Sequence, residues 1–134
     1  MYTEREKHIL EEHTMKKINL FEDAIANECK NLIAAGIEPT VFWAYRHSMR
    51  NGNELIDFAD VIWDEDIKAI ADTLDENGIA EFTISSTFSG LIKTLVAFEK
   101  YGFQMAGTTE VNANYKDWQT GEYAKIPALR LQKV

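Results

Sequence analysis

The stretch Glu81–Gly102, EFTISSTFSGLIKTLVAFEKYG, constrains this chain most, because its hydrophobic period changes from two to about 3.6 within a few residues. Glu81-Phe82-Thr83-Ile84-Ser85 alternates polar and apolar, and Phe, Thr and Ile suit a pleated, half-buried surface, so a strand is expected. From Phe88 onward, Phe88, Leu91, Ile92, Leu95 and Phe98 share one helical face, with Lys93, Thr94, Glu99 and Lys100 opposite. Ser86 or Thr87 can cap that helix by accepting a first-turn N–H, and Gly102 can take the left-handed conformation that stops it.

A strand, a hydroxyl-rich turn and a helix start place free N–H groups and the positive dipole end together, where they can hold an anion. Ser85, Ser86, Thr87, Ser89 and Gly90 would be its partners. The competing explanation is plain capping, since Ser and Thr are what any helix start selects. The stretch matches neither the phosphate-loop pattern nor the glycine-rich dinucleotide fingerprint.

Before this unit the chain reads as helical. Thr3-Glu4-Arg5-Glu6 has the form of a capping box and opens a helical stretch toward Gly36, with a break near Thr14. Ile18, Phe21, Ile25, Cys29 and Leu32 mark its apolar face. His8 and His13 stand five apart, which on a helix points them about 140° from each other, so no metal site is expected. Cys29 is the only cysteine; it excludes an intramolecular disulfide and reads as a small hydrophobe. Pro39 begins a second helix, to about Met49, that carries Phe42, Trp43 and Tyr45 beside Arg46 and His47. That aromatic density, Trp43 included, either lines a pocket or a partner surface, with Arg46 as anion holder and His47 as acid–base group, or belongs to a helix wedged between other elements.

Glu54–Phe58 is a short strand candidate with poor alternation, and a helical continuation is the alternative. Asp64-Glu65-Asp66 begins a helix stopped by Asn77-Gly78. After the central unit, Gln104–Asn112 reads as a strand with Met105, Gly107, Thr109 and Val111 on one face. Asn114–Tyr123 is a loop, and Ile126–Lys133 is a last strand suited by Pro127 to an edge, with Leu129 and Leu131 facing together. The expected fold is α/β: a helical N-terminal third packed on a small sheet of about four strands, mostly parallel, with an antiparallel C-terminal edge hairpin. One domain spans 1–134, helical over 1–50 and βαβαββ over 54–134.

In such sheets ligands bind beyond the carboxyl ends of the strands. There the Ser85–Ser89 turn would face the loop carrying Tyr115, Asp117, Trp118 and Glu122. Asp117 or Glu122 could act as base or hold a cation, Trp118 could stack a planar ligand, and the turn could hold an anion. A hairpin loop whose Trp covers the sheet end is the alternative.

A formal charge of −8 with scattered Lys and Arg argues against direct nucleic-acid binding. No apolar run approaches membrane-spanning length, and the cytosol is the expected compartment.

EPTVFWAYR, DFADVIWDEDI, EFTISSTFSGLI and NANYKDWQTGEYAKIPALRL resemble a family of small proteins of Gram-positive bacteria and their conjugative mobile elements, which carries no assigned activity. That resemblance implies a bacterial cytosolic accessory protein. More locally, LVAFEKYGFQMAGTTEV followed by ALRLQKV is similar to the last helix and hairpin of GNAT-type acetyltransferases. The Arg/Gln-x-x-Gly-x-Gly/Ala turn that holds the acetyl-CoA pyrophosphate in that family has no counterpart upstream. The expectation is therefore an accessory protein that binds a small ligand or a protein partner, with no cofactor. The alternative is acyl transfer from acetyl-CoA, with Tyr115, Asp117 or Glu122 near the chemistry.

Overall fold

The computed structural model describes residues 15–134. Helices α1 (Asn19–Ala26), α2 (Pro39–Asn51), α3 (Ile67–Glu76) and α4 (Leu91–Lys100) accompany strands β1 (Asp57–Phe58), β2 (Glu81–Ile84), β3 (Phe103–Lys116) and β4 (Tyr123–Lys133). The fold is α/β, with one four-stranded sheet in the order β1-β2-β4-β3. β1 and β2 pair in parallel, while β4 is antiparallel to both β2 and β3, so three of the four strands point the same way.

Strand alternation explains the two faces of the sheet. Phe82 and Ile84 face one side, where the Phe82 ring meets Phe58, Phe98 and Phe103 at centroid distances of 5.4, 5.1 and 5.2 Å. Thr83, and Asp57 in register with it, face the other. The buried cluster runs continuously from Met15 and Phe21 to Leu131.

α2 joins this sheet through polar groups. The Asp57 N–H donates to Ser48 Oγ at 2.9 Å, so a helix hydroxyl meets a backbone donor on the short edge strand. At the end of α2, Gly52 turns the chain at φ +76°, a conformation that favours glycine. Four asparagines then clamp the helix end to β3. Asn53 accepts the Asn112 N–H at 2.8 Å and donates to the Asn112 carbonyl at 3.0 Å; Asn112 donates to the Asn51 carbonyl at 2.8 Å, and Asn51 to the Asn114 side chain. The long hairpin is thereby held to a helix that lies beside the opposite edge of the sheet.

α1 packs on α2 through Phe21, whose ring lies edge-on to Phe42 and Tyr45. The Tyr45 hydroxyl donates to Glu22 Oε1 at 2.8 Å and accepts the Ile18 N–H at 3.3 Å, meeting a backbone donor at the start of a helix whose N-cap residue, Ile18, makes no side-chain cap bond. Burial above all, opposed by the Ile18 N–H and reinforced by Glu22, pushes the Tyr45 phenol up to about 12. Tyr45→Phe is expected to cost about 1–3 kcal/mol, read in urea melts, because a buried N–H loses its acceptor. The sign of the pH effect follows from the raised value: the stability linked to the neutral phenol is whole below pH 10.0 and is lost as pH rises through about 12. The phenylalanine variant should lack that component of the alkaline loss.

Several sequence expectations need correcting. The helix toward Gly36 ends at Ala26, because Glu28, Cys29 and Asn31 take left-handed φ values of 60°, 58° and 56°. Cys29 is therefore a turn residue, and its Sγ accepts from Arg46 Nη1 at 2.9 Å. The expected capping box at Thr3, and His8 and His13, lie outside the described residues. Asp64–Asp66 forms a short 3-10 turn ahead of α3, without side-chain caps.

α4 starts at Leu91 instead of Phe88, with Gly90 at the cap position and no side-chain cap from Ser86 or Thr87. The Ser85 and Ser86 N–H groups both donate to the Phe58 carbonyl, at 3.1 and 3.3 Å, which keeps the chain extended past Ile84. A register shift between Met105 and Gly107 puts Met105 on the opposite face from Gly107, Thr109 and Val111, and leaves it exposed. The hairpin does form one end of the sheet, but β4 is its inner strand, so Ile126–Lys133 is not the edge. Pro127 is tolerated because it pairs only with Glu110, beyond the reach of β2.

Candidate functional site

The site grows from the parallel β1–β2 pair. Asp57 lies beside Thr83, and each of its carboxyl oxygens accepts a hydroxyl: Oδ1 from Thr83 and Oδ2 from Ser85, both at 2.6 Å. Asp57 is only 6% exposed. Burial pushes its carboxyl above the ordinary value, and bonds from Ser85, Thr83 and the Ser85 backbone partly oppose that shift. Among the described residues no Lys, Arg or His forms an ion pair with it. A buried acid held by two hydroxyls and no cation retains lone pairs for a donor from outside.

Asp57 lines a cleft of about 330 Å³. α2 contributes Thr40, Trp43, Ala44 and His47, a spacing that places all four on one helical face. The connection after β1 contributes Ala59, Asp60, Val61 and Trp63, while Ile62 turns inward and is buried. Asn114 arrives from β3 through the asparagine clamp. The two tryptophans are 40% and 64% exposed, large apolar surface left in water at the edge of a concavity that has an acid beneath it.

Of the residues singled out from the sequence, Trp43 and His47 line this cleft, with ring centroids 6.3 Å apart, and the Arg46 guanidinium lies 5.7 Å from the Trp43 ring centre. Ser85 belongs to the site through its bond to Asp57. Ser86 is half-buried, and Thr87 and Ser89 are exposed. Tyr115, Asp117, Trp118 and Glu122 sit at the hairpin tip, where the Asp117 carboxylate accepts the Gln119 N–H at 2.7 Å and the Asp117 N–H donates to the Glu122 carbonyl at 2.7 Å. Trp118 is 88% exposed. Among the described residues no hydrogen bond or ion pair joins the 85–89 turn to the 115–122 loop.

Sequence reasoning missed Asp57, Asp60, Thr40, Trp63 and Asn114. The four-residue stripe on α2 was readable. Asp57 gave no signal, since it and Phe58 are buried on opposite faces of a two-residue strand. Among the described residues no group of three or more His, Cys, Asp or Glu side chains could hold a metal ion, and no helix is long and apolar enough to cross a membrane.

The sequence model of a family described as a domain of unknown function (DUF7698) matches residues 40–133, and the chain belongs to that family. The match takes in every residue that lines the cleft except Pro39. No curated protein and no solved structure matches the chain.

Proposed function

We propose that this member of the DUF7698 family is a small-ligand-binding protein whose ligand sits in the cleft above Asp57. The observation that carries this reading is the buried carboxyl, with no cation paired to it among the described residues, flanked by two exposed tryptophans. The ligand is a planar, amino-bearing molecule: its ring stacks on Trp43 or Trp63, and its N–H groups donate to Asp57. A cleft of this volume suits a compound of metabolite size better than a protein segment.

A thermal-shift panel of amino-substituted heteroaromatics, aromatic amines, CoA and acetyl-CoA tests the reading. An amino-heteroaromatic should raise the melting temperature, since a ligand at a hundred times its dissociation constant adds about 2.7 kcal/mol. A response to CoA alone would instead support acyl transfer, and a flat panel would sink the small-ligand reading. Trp63→Ala should weaken binding about tenfold, the equivalent of about 1.4 kcal/mol. It should leave stability within about 0.5 kcal/mol, because its side chain is mostly in water.

A further inference from the structure

The cleft does not end at Trp43 and His47. A second hollow, of about 420 Å³, shares those two residues and is completed by Arg46 and Arg50, one turn apart on the outer face of α2. The chain has 22 Asp and Glu against 14 Lys and Arg, so an exposed arginine in it should readily find a carboxylate. Yet among the described residues neither Arg46 nor Arg50 is in an ion pair. Arg46 donates to Cys29 Sγ at 2.9 Å and lies over Trp43, and Arg50 Nε donates to the adjacent Asn51 side chain at 3.3 Å. Two like charges four residues apart on a helix repel each other, and an anion between them would relieve the repulsion. Guanidinium groups match the oxygens of phosphate and carboxylate bidentately, and Trp43 holds one guanidinium in place.

Resting on the reading of the cleft as a ligand site, we infer that the ligand is bipolar: an amino-bearing planar ring over Asp57 joined to an anionic arm seated on Arg46 and Arg50. The acid end, aromatic middle and basic end follow one another across α2 in that order, through residues common to both hollows. A mononucleotide has this chemistry, with ring donors at one end and phosphate at the other.

Isothermal titration of the full chain with guanosine, adenosine and their 5′-monophosphates tests the arm separately from the cleft. The monophosphates should bind at least tenfold tighter than the nucleosides. Arg46→Gln/Arg50→Gln should erase that advantage and leave nucleoside affinity unchanged, which also shows the variant to be folded. If the double variant loses nucleoside binding too, Arg50→Gln alone decides, and it must lower monophosphate affinity severalfold while sparing the nucleosides. Equal affinity for nucleoside and monophosphate in the native protein would overturn the arm and leave the cleft standing. So would a monophosphate advantage that survives the arginine changes. Binding of neither class would overturn the arm and the ring specificity together.

Discussion

Asp57→Asn is expected to keep the fold at neutral pH, with a melting temperature equal to or above that of the native chain, while weakening ligand binding about 10- to 100-fold. The stability half follows from burial. A carboxyl under the sheet surface with no cation paired to it among the described residues pays desolvation for its charge, whereas an amide of the same shape does not. Thr83 and Ser85 can turn their hydroxyls to suit an amide, so neither is orphaned. The binding half follows because a hydrogen bond to a charged acceptor is worth about 1.5–3 kcal/mol and an amide replaces it only in part.

The same residue gives a pH signature. Its folded pKa lies above the unfolded value of 3.8, so the folded state holds the proton longer, and the stability linked to that proton is whole below 3.8 and lost as pH rises through the raised value. Urea melts across the acid range should show this loss in the native chain and its absence in the variant. An Asp57→Asn chain destabilised by more than about 2 kcal/mol at neutral pH would mark Asp57 as a structural anion.

Asn53→Ala should have the largest effect on stability among the polar changes, about 2–4 kcal/mol. One amide serves both the N–H and the carbonyl of Asn112, and a partly buried backbone group left without a partner costs about 1–3 kcal/mol. The damage should reach the cleft, because Asn112 and Asn114 are tied to α2 by the same cluster. Hydrogen exchange should show the distal part of the β3–β4 hairpin losing protection first. Asn114→Ala removes only the bond from Asn51 and should cost far less. If the two variants melt alike, the clamp does not hold the hairpin.

How much of this was legible in the sequence depended on whether a residue's role was repeated along the chain. β2 and α3 announced themselves by period, and α2 was marked by Pro39 at one end and Asn51-Gly52 at the other. What is set by contacts distant in sequence was not readable: the insertion of β4 between β2 and β3, the four-asparagine clamp, and the pairing of Asp57 with Thr83 and Ser85. Left-handed φ at Glu28 and Cys29 is also invisible, because neither residue favours it. The bulge after Met105 reverses a face that alternation alone assigns wrongly. Trp63 and Trp118 look alike as exposed tryptophans on polar loops, and only the fold places one of them at a cleft with an acid beneath it.

That contrast supplies the most direct test. The chain has three tryptophans, and in ¹⁵N-labelled protein each gives one indole N–H signal. On titration with guanosine 5′-monophosphate, a ligand in the cleft moves the signals of Trp43 and Trp63 and leaves Trp118 in place. Movement of Trp118 alone, with Trp43 and Trp63 unchanged, would put the binding site on the hairpin tip and contradict the assignment to Asp57.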